Sequence, residues 1–139
     1  MQARLNLILL GVDDIARSAA FYAALGWPAA ASSHAGFVKI DLGGVVLGLI
    51  ARRDLAQDAG QADSLPQQAA HSALVYLARA AEEVAEVLAA VALLGGTVVK
   101  PATETAWGVA GYFRDPDGHL FEVCYEAAWN LDAHGRLWV

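Results

Sequence analysis

Cysteine is almost absent from this chain. Cys124 is the single one in 139 residues, so no internal disulfide is possible. That composition predicts a reducing, cytoplasmic setting. Basic charge is also scarce. Nine Lys and Arg against fifteen Asp and Glu leave a net charge of −6. This excludes the cationic face that nucleic acid or an anionic membrane surface requires. Long apolar runs are missing too, because Asp, Arg, Lys or Gly interrupts each one before it reaches membrane-spanning length. The N-terminus shows no charged head followed by an apolar core and a cleavage site, so no secretory leader is expected. There is no Gly-Xaa-Ser-Xaa-Gly elbow, no P-loop and no Cys-Xaa-Xaa-Cys, and Gly43-Gly44 lacks the dinucleotide fingerprint.

What is present is a core-forming chain, 57% hydrophobic, long enough for one domain of residues 1–139. Its most informative stretch is 111–123, GYFRDPDGHLFEV. Two runs of aromatic and β-branched residues flank a turn with explicit chemistry. Pro116 pre-sets its φ, Asp115 and Asp117 can bond back to the backbone, and Gly118 suits a positive φ. Ahead of it, residues 5–12 read as a buried strand. Asp13-Asp14 caps a helix over 15–25, with Gly26 closing it. Strands at 37–42 and 45–51 meet in a tight hairpin at Gly43-Gly44. A polar segment over 52–70 reads as a linker with one helical turn near Asp54. A strand at 72–78 follows. Val84, Val87, Leu88 and Val91 form an apolar stripe on a helix over 82–94, which Gly95-Gly96 ends. A strand at 97–100 is expected to stop at Pro101, and 103–108 is a loop carrying Trp107.

The element order repeats. A displacement of 74 positions carries Asp41 onto Asp115, Gly44 onto Gly118, Val46 onto Leu120 and Gly48 onto Glu122. The expected organisation is therefore an α+β domain of two βαβββ modules, at 1–52 and 71–126. Residues 53–70 link them, and a tail over 127–139 carries Trp129 and Trp138. Modules too small for closed cores of their own would pack around a shared hollow.

The chain resembles the vicinal-oxygen-chelate superfamily, which includes glyoxalase I, extradiol dioxygenases, and fosfomycin- and bleomycin-resistance proteins. Two segments carry the resemblance. One is GVDDIARSAAFY at 11–22, followed by Leu25-Gly26-Trp27. The other is YFRDPDGHLFEV at 112–123. The resemblance implies a cupped mixed sheet with helices on its outer face, usually in a homodimer. It also implies a divalent metal held from the first and last strands of each module. Those positions fall on Leu7, Gly48, Ser72 and Glu122. Of these only Glu122 retains a good metal ligand, and one carboxylate cannot build a three-ligand site. His71 is adjacent to Ser72, but strand alternation turns it away from the cup. No cofactor is expected, and a metal is disfavoured.

Several residues have two readings. Glu122 lies in an apolar strand, where an unpaired carboxylate is costly. It is a remnant metal ligand, a general base or an acceptor for a ligand, or else a structural carboxylate paired with Arg114 or a tyrosine. Tyr112 either orients a ligand from the cup or is a core tyrosine. Trp107 is a flat wall for a planar ligand or a loop anchor. His119 reads as a turn residue. The cup-lining set is Leu7, Leu9, Val46, Ser72, Leu74, Tyr76, Trp107, Tyr112, Glu122 and Cys124, mostly apolar with a few converging polar groups. The expected function is small-molecule binding in that cup, without metal. The alternative is enzymatic: a metal-dependent lyase, isomerase or dioxygenase, or a metal-free enzyme using Glu122 and Tyr112.

Overall fold

The computed structural model describes residues 5–60 and 72–137. The chain divides into two compact units, 1–68 and 69–139. Both are mixed α and β, as expected.

In the first unit β1 (Leu7–Val12) leads into α1 (Ile15–Ala24), then β2 (Phe37–Asp41), β3 (Val46–Ala51) and α2 (Arg52–Asp58). Asp14 caps α1, its side chain accepting the Arg17 N–H at 3.0 Å. Gly26 follows the helix with φ 94°, and Trp27 N–H returns to the Tyr22 carbonyl at 2.9 Å. The strand order is β1-β3-β2, with β1 parallel and β2 antiparallel to β3. Alternation splits this sheet cleanly. Leu10, Val12, Val38, Ile40, Leu47 and Leu49 are buried, together with Phe21 and Tyr22 of α1.

This unit has three strands where four were expected. The chain between α1 and β2 runs beside β2 without forming a ladder. Ala30 N–H bonds the Lys39 carbonyl at 2.7 Å, and the next backbone pairing is replaced by a side chain, Lys39 N–H to Ser33 Oγ at 3.0 Å. The segment also contains Pro28, which has no N–H to donate. The expected linker begins instead with the two turns of α2. Leu55 of α2 lies within 3.2 Å of where a Gly11 side chain would be. Gly11 shares its strand face with Leu7 and Leu9, opposite α1, so the helices of this unit are not confined to one face.

In the second unit β4 (Leu74–Leu77) precedes α3 (Ala81–Leu93), β5 (Thr97–Glu104), β6 (Gly108–Arg114) and β7 (Leu120–Glu126). The order is β4-β7-β6-β5, with β4 parallel to β7 and the rest antiparallel. This is the expected βαβββ unit. Its core joins Val84, Leu88 and Val91 of α3 to Phe113, Phe121 and Val123. Phe113 and Phe121 stack with centroids 4.9 Å apart. At Gly111 an added Cβ would lie 2.4 Å from Leu88 Cδ1, so glycine there sets how closely α3 approaches the sheet.

Pro101 does not end β5, which runs on to Glu104. β5 is an edge strand, where a missing N–H is tolerated. Two register shifts, between Val98 and Lys100 and between Lys100 and Thr103, carry it past the proline.

The β6–β7 turn has the chemistry the sequence announces. Asp115 is buried. Its Oδ1 accepts the N–H groups of Asp117 and His119 at 3.0 and 2.8 Å, and His119 Nδ1 lies 2.8 Å from Oδ2. Gly118 has φ 93°. The tail returns to its own unit, where Arg79 donates to the carbonyls of Asp132 and Ala133 at 3.3 and 3.2 Å. Trp138 lies outside the described residues. No helix among the described residues is long and apolar enough to cross a membrane.

Candidate functional site

The second sheet has two faces, and its register assigns every strand residue to one of them. Phe113 pairs with Phe121, and Gly111 with Val123, on the face that α3 covers. Tyr112 pairs with Glu122, and Ala110 with Cys124, on the other. Val75 pairs with Glu122 and Leu77 with Cys124. Lys100 pairs with Tyr112. Paired residues point the same way from a sheet. The face away from α3 therefore carries Lys100, Tyr112 and Glu122 in a row across β5, β6 and β7. Val75, Leu77, Ala110 and Cys124 surround them.

Glu122 stands directly across the β6–β7 ladder from Tyr112, and its carboxylate acts on the Tyr112 phenol. Of the two structural partners open to it, Arg114 and a tyrosine, the tyrosine is its neighbour. Arg114 instead donates to the Gly118 carbonyl at 2.7 Å, within the turn. Burial and the neighbouring Glu122 charge push the Tyr112 phenol above its ordinary value, so it stays a donor at neutral pH. Cys124 is buried, and burial together with Glu122 and Glu126 pushes its thiol up to about 11. It is an apolar wall here and not a nucleophile. The Lys100 ammonium lies 5.8 Å from the centroid of the Tyr112 ring.

Two of the expected cup residues face the other way. Leu74 pairs with Phe121 and Tyr76 with Val123, which puts both on the α3 side. The Tyr76 hydroxyl donates to Glu83 Oε1 of α3 at 2.6 Å, while Glu83 Oε2 accepts the Arg79 N–H at 2.7 Å. Burial and Glu83 push the Tyr76 phenol up to about 12. Tyr76 thus ties β4 to α3. The expectation slipped by one residue along β4, and one residue reverses the face. The same slip affects Ser72, which is exposed ahead of the strand. Leu9 pairs with Gly48 as Val75 pairs with Glu122, so the counterpart of Leu7 in the second unit is Ala73. His71 lies outside the described residues.

Lys100, Val75 and Leu77 were not among the expected site residues. Val75 and Leu77 follow from the corrected register. For Lys100 no sequence signal exists, because simple alternation from Val98 would place it on the α3 side. Trp107 is 44% exposed on the β5–β6 turn. That turn is held by Thr105 Oγ1, which accepts the N–H groups of Trp107 and Gly108 at 3.3 and 3.0 Å.

In the first unit Leu7, Leu9 and Val46 do share a face, with Gly48 and Phe37. Leu7 and Leu9 are about two-fifths exposed. The place a side chain would take at Gly48 is already filled, with Phe37 Cζ at 2.8 Å and Leu9 Cδ2 at 3.0 Å from an added Cβ.

A strand–helix–strand order repeated in two units, each with its first strand parallel to its last, defines a split α+β repeat architecture. Residues 4–123 match the model of the Glyoxalase/Bleomycin resistance protein/Dioxygenase superfamily, and the chain belongs to that family. Among solved structures it is similar to a glyoxalase-related enzyme from Fulvimarina pelagi, at 28% identity and TM-score 0.88 over 99% of each chain. It is also similar to a hypothetical protein of S. aureus, at 27% identity and TM-score 0.78, covering 90% of this chain and 94% of that one. A lactoylglutathione lyase from Agrobacterium tumefaciens, at 22% identity and TM-score 0.62 over 90% and 95% of the two chains, shares the fold. No curated protein matches the sequence significantly.

Proposed function

We propose that this chain binds a small organic molecule on the Tyr112–Glu122 face of its second sheet, and that it does so without a divalent metal. The observation that carries the reading is the facing of the Tyr112 phenol and the Glu122 carboxylate across the β6–β7 ladder, set among Val75, Leu77, Ala110 and Cys124. A few polar groups converging on a surface with apolar walls are the ingredients of a small-molecule site.

Support for a metal-free reading is the donor set, which does not fit a three-ligand metal. Leu7 and Gly48 have no ligating atom, and Gly48 has no room for one. Ala73, the counterpart of Leu7, has none either. Among the described residues no three His, Cys, Asp or Glu side chains come together. The single cysteine agrees with a cytoplasmic setting, and a homodimer accompanies the reading as the family's usual state.

A second reading rests on the same pair. A carboxylate facing a protonated phenol is also a candidate acid–base couple, which supports metal-free proton transfer as in a lyase or isomerase. Glu122→Gln separates the readings. Under the binding reading the variant changes ligand affinity and there is no turnover to lose. Under the enzymatic reading turnover disappears while the fold survives. Stoichiometric tight binding of Ni²⁺, Zn²⁺, Mn²⁺ or Fe²⁺ to chelator-free protein, lost in Glu122→Gln, would overturn both.

A further inference from the structure

β5 is irregular where it passes Tyr112. Val98 pairs with Phe113 and Lys100 with Tyr112. Two steps on β5 therefore answer one step on β6, and Val99 is the extra residue. A regular strand would send Lys100 to the α3 side with Val98. The bulge turns it onto the face of Tyr112 and Glu122 instead, which is how bulges commonly re-aim a side chain. There the ammonium lies 5.8 Å from the Tyr112 ring centroid, and it has no hydrogen bond or ion pair among the described residues. Several other cations among the described residues are tied locally. Lys39 Nζ bonds the Ser32 carbonyl, Arg52 pairs with Asp13 and Arg114 bonds the Gly118 carbonyl. Tyr112 stands between Lys100 and Glu122 in the register of β5, β6 and β7. The row is thus cation, phenol, carboxylate, spanning two strand spacings, or roughly 10 Å at the backbone.

We propose that Lys100 is a specificity-determining residue, and that the molecule bound on this face is an organic carboxylate. Its anionic end pairs with Lys100, its body lies over Tyr112 among Val75 and Ala110, and a hydrogen-bond donor at its far end reaches Glu122. The proposal rests on the binding reading above and names the class of ligand. A para-substituted benzoate has a suitable length and both end groups.

The test uses 4-hydroxybenzoate, its neutral amide and its cationic amidine as probes. Each is titrated into the full-length isotope-labelled protein while backbone amide shifts are followed. The proposal expects shifts centred on residues 100, 110, 112, 122 and 124. The carboxylate should bind about fivefold or more tightly than the amide, the upper range for a partly exposed ion pair. Lys100→Met should reduce that ratio to about one with its spectrum otherwise folded. Lys100→Arg should restore it. Equal binding of amide and carboxylate, preference for the amidine, or a ratio unchanged in Lys100→Met would overturn the role of Lys100 and leave the binding site in place. If no probe shifts this face at millimolar concentration, the carboxylate inference is overturned, while the binding reading is judged separately by its own Glu122→Gln and metal-binding test.

Discussion

Replacing Tyr76 by Phe removes one hydroxyl and tests the face assignment on which the site depends. The hydroxyl is 2.6 Å from Glu83 Oε1 in a part-buried setting. Hydrogen bonds to charged groups contribute about 1.5–3 kcal/mol, and partial exposure places this one near the lower end, about 1.5 kcal/mol. For a chain of this size that lowers Tm by about 5 °C. Glu83 keeps its second bond, from Arg79 N–H at 2.7 Å, so the start of α3 should survive. The pH dependence is more diagnostic. The folded-state phenol titrates near 12 against an ordinary 10, so the native state holds this proton more tightly than the unfolded chain. Its stabilising contribution is complete below pH 10 and is lost as pH rises through 10 towards 12. The Tm gap between wild type and Tyr76→Phe should therefore be full at pH 8 and shrink by pH 11, as read by circular dichroism melts in matched salt. Binding of 4-hydroxybenzoate at pH 7 should be unchanged, because the hydroxyl faces α3. A variant with wild-type Tm at both pH values and no binding would refute the assignment and return Tyr76 to the ligand face.

Other predictions follow from the turn and the thiol. Asp115→Ala orphans two backbone N–H groups and the His119 ring. It should cost about 3 kcal/mol in urea denaturation, and a loss below about 1 kcal/mol would mean that water replaces the carboxylate freely. With its thiol raised to about 11 and buried, Cys124 should resist iodoacetamide at pH 7.5 in folded protein and react promptly in urea. Fast native labelling would show that this face opens.

Much of the molecule is determined locally, and that part was legible. Asp14, Gly26 and Gly95 bracket their helices because capping and left-handed termination depend on a few adjacent residues. Asp115, Pro116 and Gly118 make their turn for the same reason. The Tyr112 and Glu122 pairing follows once that turn is placed, since it sets the register of the hairpin it closes. The repeat at 74 positions, together with the two segments at 11–27 and 112–123, pointed to the family before any coordinates.

What the tertiary structure decided is which way side chains point where no adjacent turn fixes the register. β4 and β7 are parallel and far apart in sequence, so nothing local says that Val75, and not Leu74, opposes Glu122. A slip of one residue there exchanged Tyr76 and Leu74 for Val75 and Leu77. The edge position of β5 likewise decided that Pro101 lies within a strand. Its Val99 bulge then placed Lys100 beside Tyr112. A bulge is a mismatch between two strands, and its position depends on the partner as much as on the residues that form it.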